Sequence, residues 1–145
     1  MKSLLRYPGG KTRALKHIIP YFPKDLTEMV SPFFGGGSIE IHYAAQGARV
    51  HGYDIFEPLT NFWQQVLQHP KGLSHTLEDA FYPCPKENFK YFQERVTDMS
   101  LDPSLRACIF YVINRCSFSG ATLSGGMSPN HPRYTQSSID SLRDF

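Results

Sequence analysis

Cysteine is scarce in this 145-residue chain, and the three present, Cys84, Cys108 and Cys116, are an odd number without C-x-x-C spacing. That pattern argues against a zinc knuckle and a disulfide framework and fits a reducing cytoplasm. Long apolar runs are also missing. The longest, such as residues 107–113, fall far short of the roughly 20 residues that a helix needs to cross a bilayer, so no membrane role is expected. No charged-then-apolar leader stands at Met1, and secretion is not expected. Acidic residues are absent from two long stretches. Residues 1–24 carry Lys2, Arg6, Lys11, Arg13, Lys16 and Lys24 and no carboxylate, and residues 103–139 keep Arg106, Arg115 and Arg133 and again no carboxylate. The net charge of +2 hides this segregation. Two acid-free stretches around an acid-rich middle suggest a surface facing a polyanion, with chance clustering as the plain alternative.

What remains is ordinary globular material, 41% hydrophobic and 19% charged, with the length of one domain and no repeat or low-complexity linker. Residues 12–19 read as a short helix ended by Pro20. Residues 28–30 read as a buried strand running into Ser31-Pro32-Phe33-Phe34-Gly35-Gly36-Gly37-Ser38. Ser38 is the expected N-cap of a helix through Ala45, with Gly47 in the C′ position. Residues 49–53 read as a second strand ending at Asp54, and Glu57-Pro58 opens a helix whose apolar face carries Leu59, Phe62, Trp63 and Val66. Strand, glycine loop, helix, strand and acid make a βαβ unit of parallel-sheet type. Residues 87–99 and 104–115 read as helices, the latter capped by Asp102. Residues 116–138 read as a long loop, functional or else disordered, and 138–145 as the start of a helix.

Three segments carry chemistry. Gly35-Gly36-Gly37, between a strand and a helix, lets backbone approach a ligand closely. About 20 residues on, Asp54 stands where this topology puts a carboxylate that accepts from ribose hydroxyls. The run is not G-x-G-x-x-G, but with Asp54 in register it points to a nucleoside-type cofactor. The second segment, Arg6-Tyr7-Pro8-Gly9-Gly10-Lys11-Thr12, invites a phosphate-loop reading. That reading needs a glycine where Leu5 stands and a long buried strand before it, so it is set aside. The glycine turn is instead read as wrapping the far side of the cofactor, with Lys11 available to a carboxylate. The third, Asn114-Arg115-Cys116-Ser117-Phe118-Ser119-Gly120, sets a basic residue, an aromatic and small polar groups on an acid-free loop, which fits nucleic-acid contact. Phe118 is either a wedge between base steps or a core anchor for its own loop.

Taken together with Tyr53-Asp54, these segments resemble, in order and spacing, the Dam-like DNA adenine methylases. The resemblance implies an α/β fold: a partial Rossmann-like methyltransferase sheet with an inserted helical DNA-recognition region. It implies a cofactor-binding part over residues 1–70, a helical target-recognition region over 71–138 with a DNA-facing loop over 114–138, and a truncated return to the catalytic domain over 139–145. It implies S-adenosylmethionine as cofactor, adenine in double-stranded DNA as substrate, and no metal. Carried over, it assigns the cofactor to Tyr7, Pro8, Gly9, Gly10, Lys11, Phe34, Gly35, Gly37, Ser38, Asp54 and Ile55, with Asp54 on the ribose. It assigns DNA contact to Arg115, Phe118, Ser119, Arg133 and Tyr134.

Three departures qualify the resemblance. Ser31 stands where the family carries an acid near the methionine moiety. No arginine stands near Leu123, which leaves the target sequence open. Most consequential, the catalytic Asp-Pro-Pro-Tyr is absent, since Asp102-Pro103 is followed by Ser104-Leu105 and Asn130-His131-Pro132-Arg133 is interrupted. No catalytic residue is therefore assigned. The chain is expected to be an N-terminal portion that transfers no methyl group alone, from a bacterial, phage or viral protein of the cytoplasm. A non-catalytic DNA-binding or regulatory module is the alternative, and a methyltransferase for RNA or protein is the weaker third. A half-built sheet also leaves an edge open to self-association.

Overall fold

The computed structural model describes residues 2–84, 86–127 and 133–145. The chain divides into two compact units, Met1–Ile55 and Phe56–Phe145. It is a mixed α/β protein with one small parallel sheet and a majority of helix.

The first unit is built around β1 (Glu28–Ser31), α2 (Ser38–Ala44) and β2 (Arg49–Gly52), after a one-turn α1 (Leu15–Ile18) and a 3₁₀ turn (Ile19–Tyr21). Pro20 sits inside that turn, where its missing N–H costs nothing. The strands pair in parallel from Glu28 opposite Arg49 to Ser31 opposite Gly52, and α2 makes the crossover. The helix begins differently from expectation. Gly37, at φ 63°, takes the N-cap position without a side-chain bond, and Ser38 is the first helical residue. Its hydroxyl turns instead to Thr12, 2.8 Å away. Gly47, at φ 93°, follows the helix in the left-handed conformation that only glycine adopts cheaply. The apolar interior is thin, comprising Leu4, Leu5, Ile41 and Tyr43.

The second unit is helical: α3 (Glu57–Gln68), α4 (Pro70–Thr76) running into a π-helical turn (Leu77–Phe81), α5 (Lys86–Arg95), α6 (Pro103–Cys116) and α7 (Gln136–Arg143). Asp102 caps α6 by accepting from the N–H groups of Ser104 and Leu105, and Thr135 and Ser138 form a capping box on α7. The α6 helix is buried nearly all round from Arg106 to Cys116, as the central helix of a bundle must be. The α3 helix packs on it, and Leu59, Phe62, Trp63 and Val66 of α3 are buried. Phe62 stacks on Tyr111 with centroids 5.7 Å apart and planes 5° from parallel.

The division into packed units falls after Ile55; within the second unit α3 packs on α6 and α7 packs against α4. The expected long loop also contains order, with a 3₁₀ turn at Phe118–Gly120 and a bridge pairing Ser117 with Met127. Its residues 128–132, Asn130, His131 and Pro132 among them, lie outside the described residues. No helix among the described residues is long and apolar enough to cross a membrane.

Candidate functional site

In the first unit, two segments far apart in sequence meet around the glycine run. Tyr7-Pro8-Gly9-Gly10 forms a turn closed by Gly10 N–H to the Tyr7 carbonyl at 2.8 Å, with Gly9 at φ 75°. Proline second and a left-handed glycine third are what a type II turn requires. This turn holds Tyr7 against the glycine run, where a Cβ on Gly35 would stand 3.0 Å from Tyr7 Cε1 and one on Gly36 2.9 Å from Tyr7 Cβ. Ser3 Oγ donates to the Gly36 carbonyl, and Thr12 meets Ser38, so the N-terminal segment is tied to the run at both ends.

Asp54 secures the other side. Its Oδ2 accepts the Gly35 N–H at 2.9 Å, while Phe34 N–H reaches the Tyr53 carbonyl and Tyr53 N–H the Ser31 carbonyl, both at 2.8 Å. Partial burial, followed by the Asp54 carboxylate, pushes the Tyr7 phenol above its ordinary range. Lys11 Nζ folds back onto the Gly9 carbonyl at 2.6 Å. Pro8, Gly9, Gly10, Lys11 and Ile55 are exposed, whereas Gly35 to Gly37 are buried.

Sequence reasoning missed three contributors. Gly52 leaves room for the Phe34 ring: a Cβ there would lie 2.3 Å from Phe34 Cδ2, and one on Gly37 2.5 Å from Phe34 Cε1. A glycine inside a strand is the usual mark of such a close approach. Ser3 gave no signal. Glu40, in the first turn of α2, is buried and bonded to Ser31 at the end of β1.

In the second unit, the end of α6 and the segment after it gather the expected DNA-facing residues. Arg115 Nε donates to the Arg133 carbonyl at 2.8 Å, and its guanidinium lies 5.9 Å from the centre of the Tyr111 ring. Phe118 is 68% exposed, which opposes the core-anchor alternative. Ser119 is held at φ 54°, in the left-handed region that a residue with a Cβ seldom visits. The returning segment is tied down by Phe118 N–H to the Gly126 carbonyl and by Gln93 on α5, whose amide donates to the carbonyls of Thr122 and Gly125. Tyr134 stands apart from them. It is only 5% exposed, packed edge-on to Tyr82 and Tyr111 in the core, with its hydroxyl unbonded among the described residues. Ring contacts with Tyr111 on α6 and with Tyr82 outweigh its place in a polar stretch of sequence. Among the described residues no three His, Cys, Asp or Glu side chains are placed to hold a metal ion.

A parallel βαβ unit whose first turn is built from glycine belongs to the α/β class in which ligands sit at the carboxyl ends of the strands. A model of the D12 class N6 adenine-specific DNA methyltransferases matches residues 7–129, and the chain belongs to that family. It is 34% identical over 93 residues to the modification methylase StsI of Streptococcus sanguinis, covering 56% of this chain and 14% of that protein. It is 24% identical over 139 residues to the type II methyltransferase M.CviBI of Paramecium bursaria Chlorella virus NC1A, covering 92% and 51%. It is also 26% identical over 122 residues to the DNA adenine methylase of Escherichia coli K12, covering 82% and 42%. The chain thus spans about half or less of the relatives it matches.

Proposed function

We propose that the chain supplies the cofactor-binding and DNA-contacting portion of a site-specific adenine methyltransferase that uses S-adenosylmethionine and acts on double-stranded DNA. The observation that carries the reading is the meeting of Tyr7 and the carboxylate of Asp54 on opposite sides of a buried glycine turn. The residues fit such a cofactor. The glycine turn offers a surface that any Cβ would fill, Tyr7 offers an aromatic face, and Asp54 offers acceptors to ribose hydroxyls once its hold on Gly35 is shared. Lys11, released from the Gly9 carbonyl, is the cation for the cofactor's carboxylate. Phe34 and Ser38 shape the turn, and Pro8, Gly9, Gly10 and Ile55 border it. When bound, S-adenosylmethionine supplies an electrophilic methyl group for the exocyclic amine of adenine. In this reading the first unit is part of a Rossmann-like methyltransferase sheet.

Arg115 and Arg133 neutralise phosphates, and Phe118 and Ser119 approach the duplex from the exposed 3₁₀ turn. Because the 145 residues carry no Asp-Pro-Pro-Tyr, the amine has no acceptor here, and the chain binds without transferring.

Calorimetric titration of S-adenosylmethionine tests the cofactor half, with saturable binding expected and a loss of about tenfold or more in Asp54→Ala. A folded sample that takes up no cofactor sinks that half. For DNA, affinity is expected to fall steeply with salt, and the salt slope to fall by about one for each of Arg115→Ala and Arg133→Ala. A slope unchanged by both removes these residues from the interface. Tritium passing from labelled cofactor to DNA above a heat-killed control overturns the assignment of binding without transfer.

A further inference from the structure

Glu40 is the third residue of α2 and only 8% exposed. One carboxylate oxygen accepts from Ser31 Oγ at 2.5 Å, and Ser31, at the end of β1, is itself only 7% exposed. Among the described residues no other side chain bonds to this carboxylate and no basic side chain pairs with it. A carboxylate has about four lone-pair positions, and a buried one is ordinarily satisfied by more than a single partner. Proximity to the first turn of a helix favours a negative charge, but favours it equally at the exposed positions of that turn. Burial needs another reason. Ser31 lies at the carboxyl end of its strand, immediately before the turn that Tyr7 and Asp54 flank, and that end is where parallel sheets present their ligands.

We propose that Glu40, oriented by Ser31, is the binding residue for the α-ammonium group of S-adenosylmethionine. The assignment rests on the cofactor reading above and adds to it the anchor for the amino-acid end of the molecule. Ser31 fixes one oxygen and leaves the remaining lone pairs for a cation that arrives with the ligand. A charge-assisted bond formed at a desolvated position is stronger than its surface counterpart.

The test compares two ligands that share the adenosine portion and a sulfur at its 5′ position, a cationic sulfonium in the first and a neutral thioether in the second. S-adenosylmethionine carries the α-ammonium group, and 5′-methylthioadenosine lacks the whole amino-acid end. Each is titrated calorimetrically into the unmodified chain, Glu40→Gln and Asp54→Ala. Glu40→Gln, which keeps the acceptor for Ser31, is expected to weaken S-adenosylmethionine about tenfold or more and to leave 5′-methylthioadenosine within about twofold. Asp54→Ala is expected to weaken both. Equal weakening of both ligands by Glu40→Gln marks a structural latch and overturns the proposal, as does no weakening of either. If the unmodified chain binds neither ligand, the cofactor reading itself fails. Should Glu40→Gln not fold, carbon-13 NMR of the unmodified chain decides. The Glu40 carboxyl resonance is expected to move with S-adenosylmethionine and to stay with 5′-methylthioadenosine, and a resonance that stays with both overturns the proposal.

Discussion

The two units solve the problem of holding a chain in place by different means. The second does it with side-chain volume: Phe62, Phe110, Tyr111, Leu59 and Leu77 are almost wholly buried, and α6 shows hardly a residue to solvent. The first has little volume to bury and relies on polar latches and missing side chains. Ser3, Thr12 and Asp54 reach to the glycine run, and Phe34 and Tyr7 lie where a Cβ at Gly52, Gly37 or Gly35 would collide. A unit stabilised by volume tolerates exchange at its surface and fails by cavity. A unit stabilised by close backbone approach tolerates little at its glycines.

The sharpest way to break this contrast is at Phe62, fully buried between Trp63, Phe110 and Tyr111. Phe62→Ala is expected to cost ~3–5 kcal/mol, read as a fall in the urea midpoint followed by Trp63 fluorescence. A cost under ~1 kcal/mol would mean that this core is not packed to its shape. Next is Gly37→Ala in the first unit, expected to cost ~1–2 kcal/mol for the left-handed backbone and ~1–3 more for the clash with Phe34. Cofactor titration is expected to show lost binding, while the Trp63 signal of the second unit keeps its native emission. Native affinity in this variant would refute the close approach of Phe34.

Alkaline pH gives the smallest effect and acts on the second unit. Burial, followed by the Asp102 carboxylate, pushes the Cys108 thiol up to about 12 from 9.0. Burial likewise raises Tyr111 and Tyr134. A folded value above the unfolded one means that the native state holds its proton longer. The stabilisation is complete below about pH 9 and is lost as pH rises toward 12. At pH 10 the unfolded thiol is about ten-to-one ionised, so Cys108 alone removes on the order of 1 kcal/mol. Urea midpoints at pH 7 and pH 10 measure it, and Cys108→Ala is expected to lessen the drop. An equal drop in that variant assigns the effect elsewhere.

The helices of the second unit were legible where apolar spacing and capping agreed. Residues 57–68 carry Pro58 and a clean apolar face, and residues 103–116 follow Asp102. The α4 helix was not read. Leu73, Leu77 and Phe81 do recur at helical spacing, but Pro70 and Gly72 beside them read as breakers. In the first unit the glycines and Pro8 carried local meaning that sequence exposes directly, hence the turn at Tyr7 and the strand–loop–helix were foreseen. What escaped depends on contacts between distant residues. Gly37 took the N-cap position while the Ser38 hydroxyl turned to Thr12, Glu40 found Ser31, and Tyr134 found Tyr82 and Tyr111. No local rule places a serine at φ 54°, so the turn at Ser119 was beyond reach as well.

The amide of Gln93 bonds two carbonyls that lie three residues apart, at Thr122 and Gly125. It works as a strut: the tip around Leu123 cannot slide or swing relative to α5 without breaking both bonds at once. Whatever the tip touches is therefore read by a rigid finger and not by a limp one. Changes on α5 would re-aim that finger without altering a single residue on it.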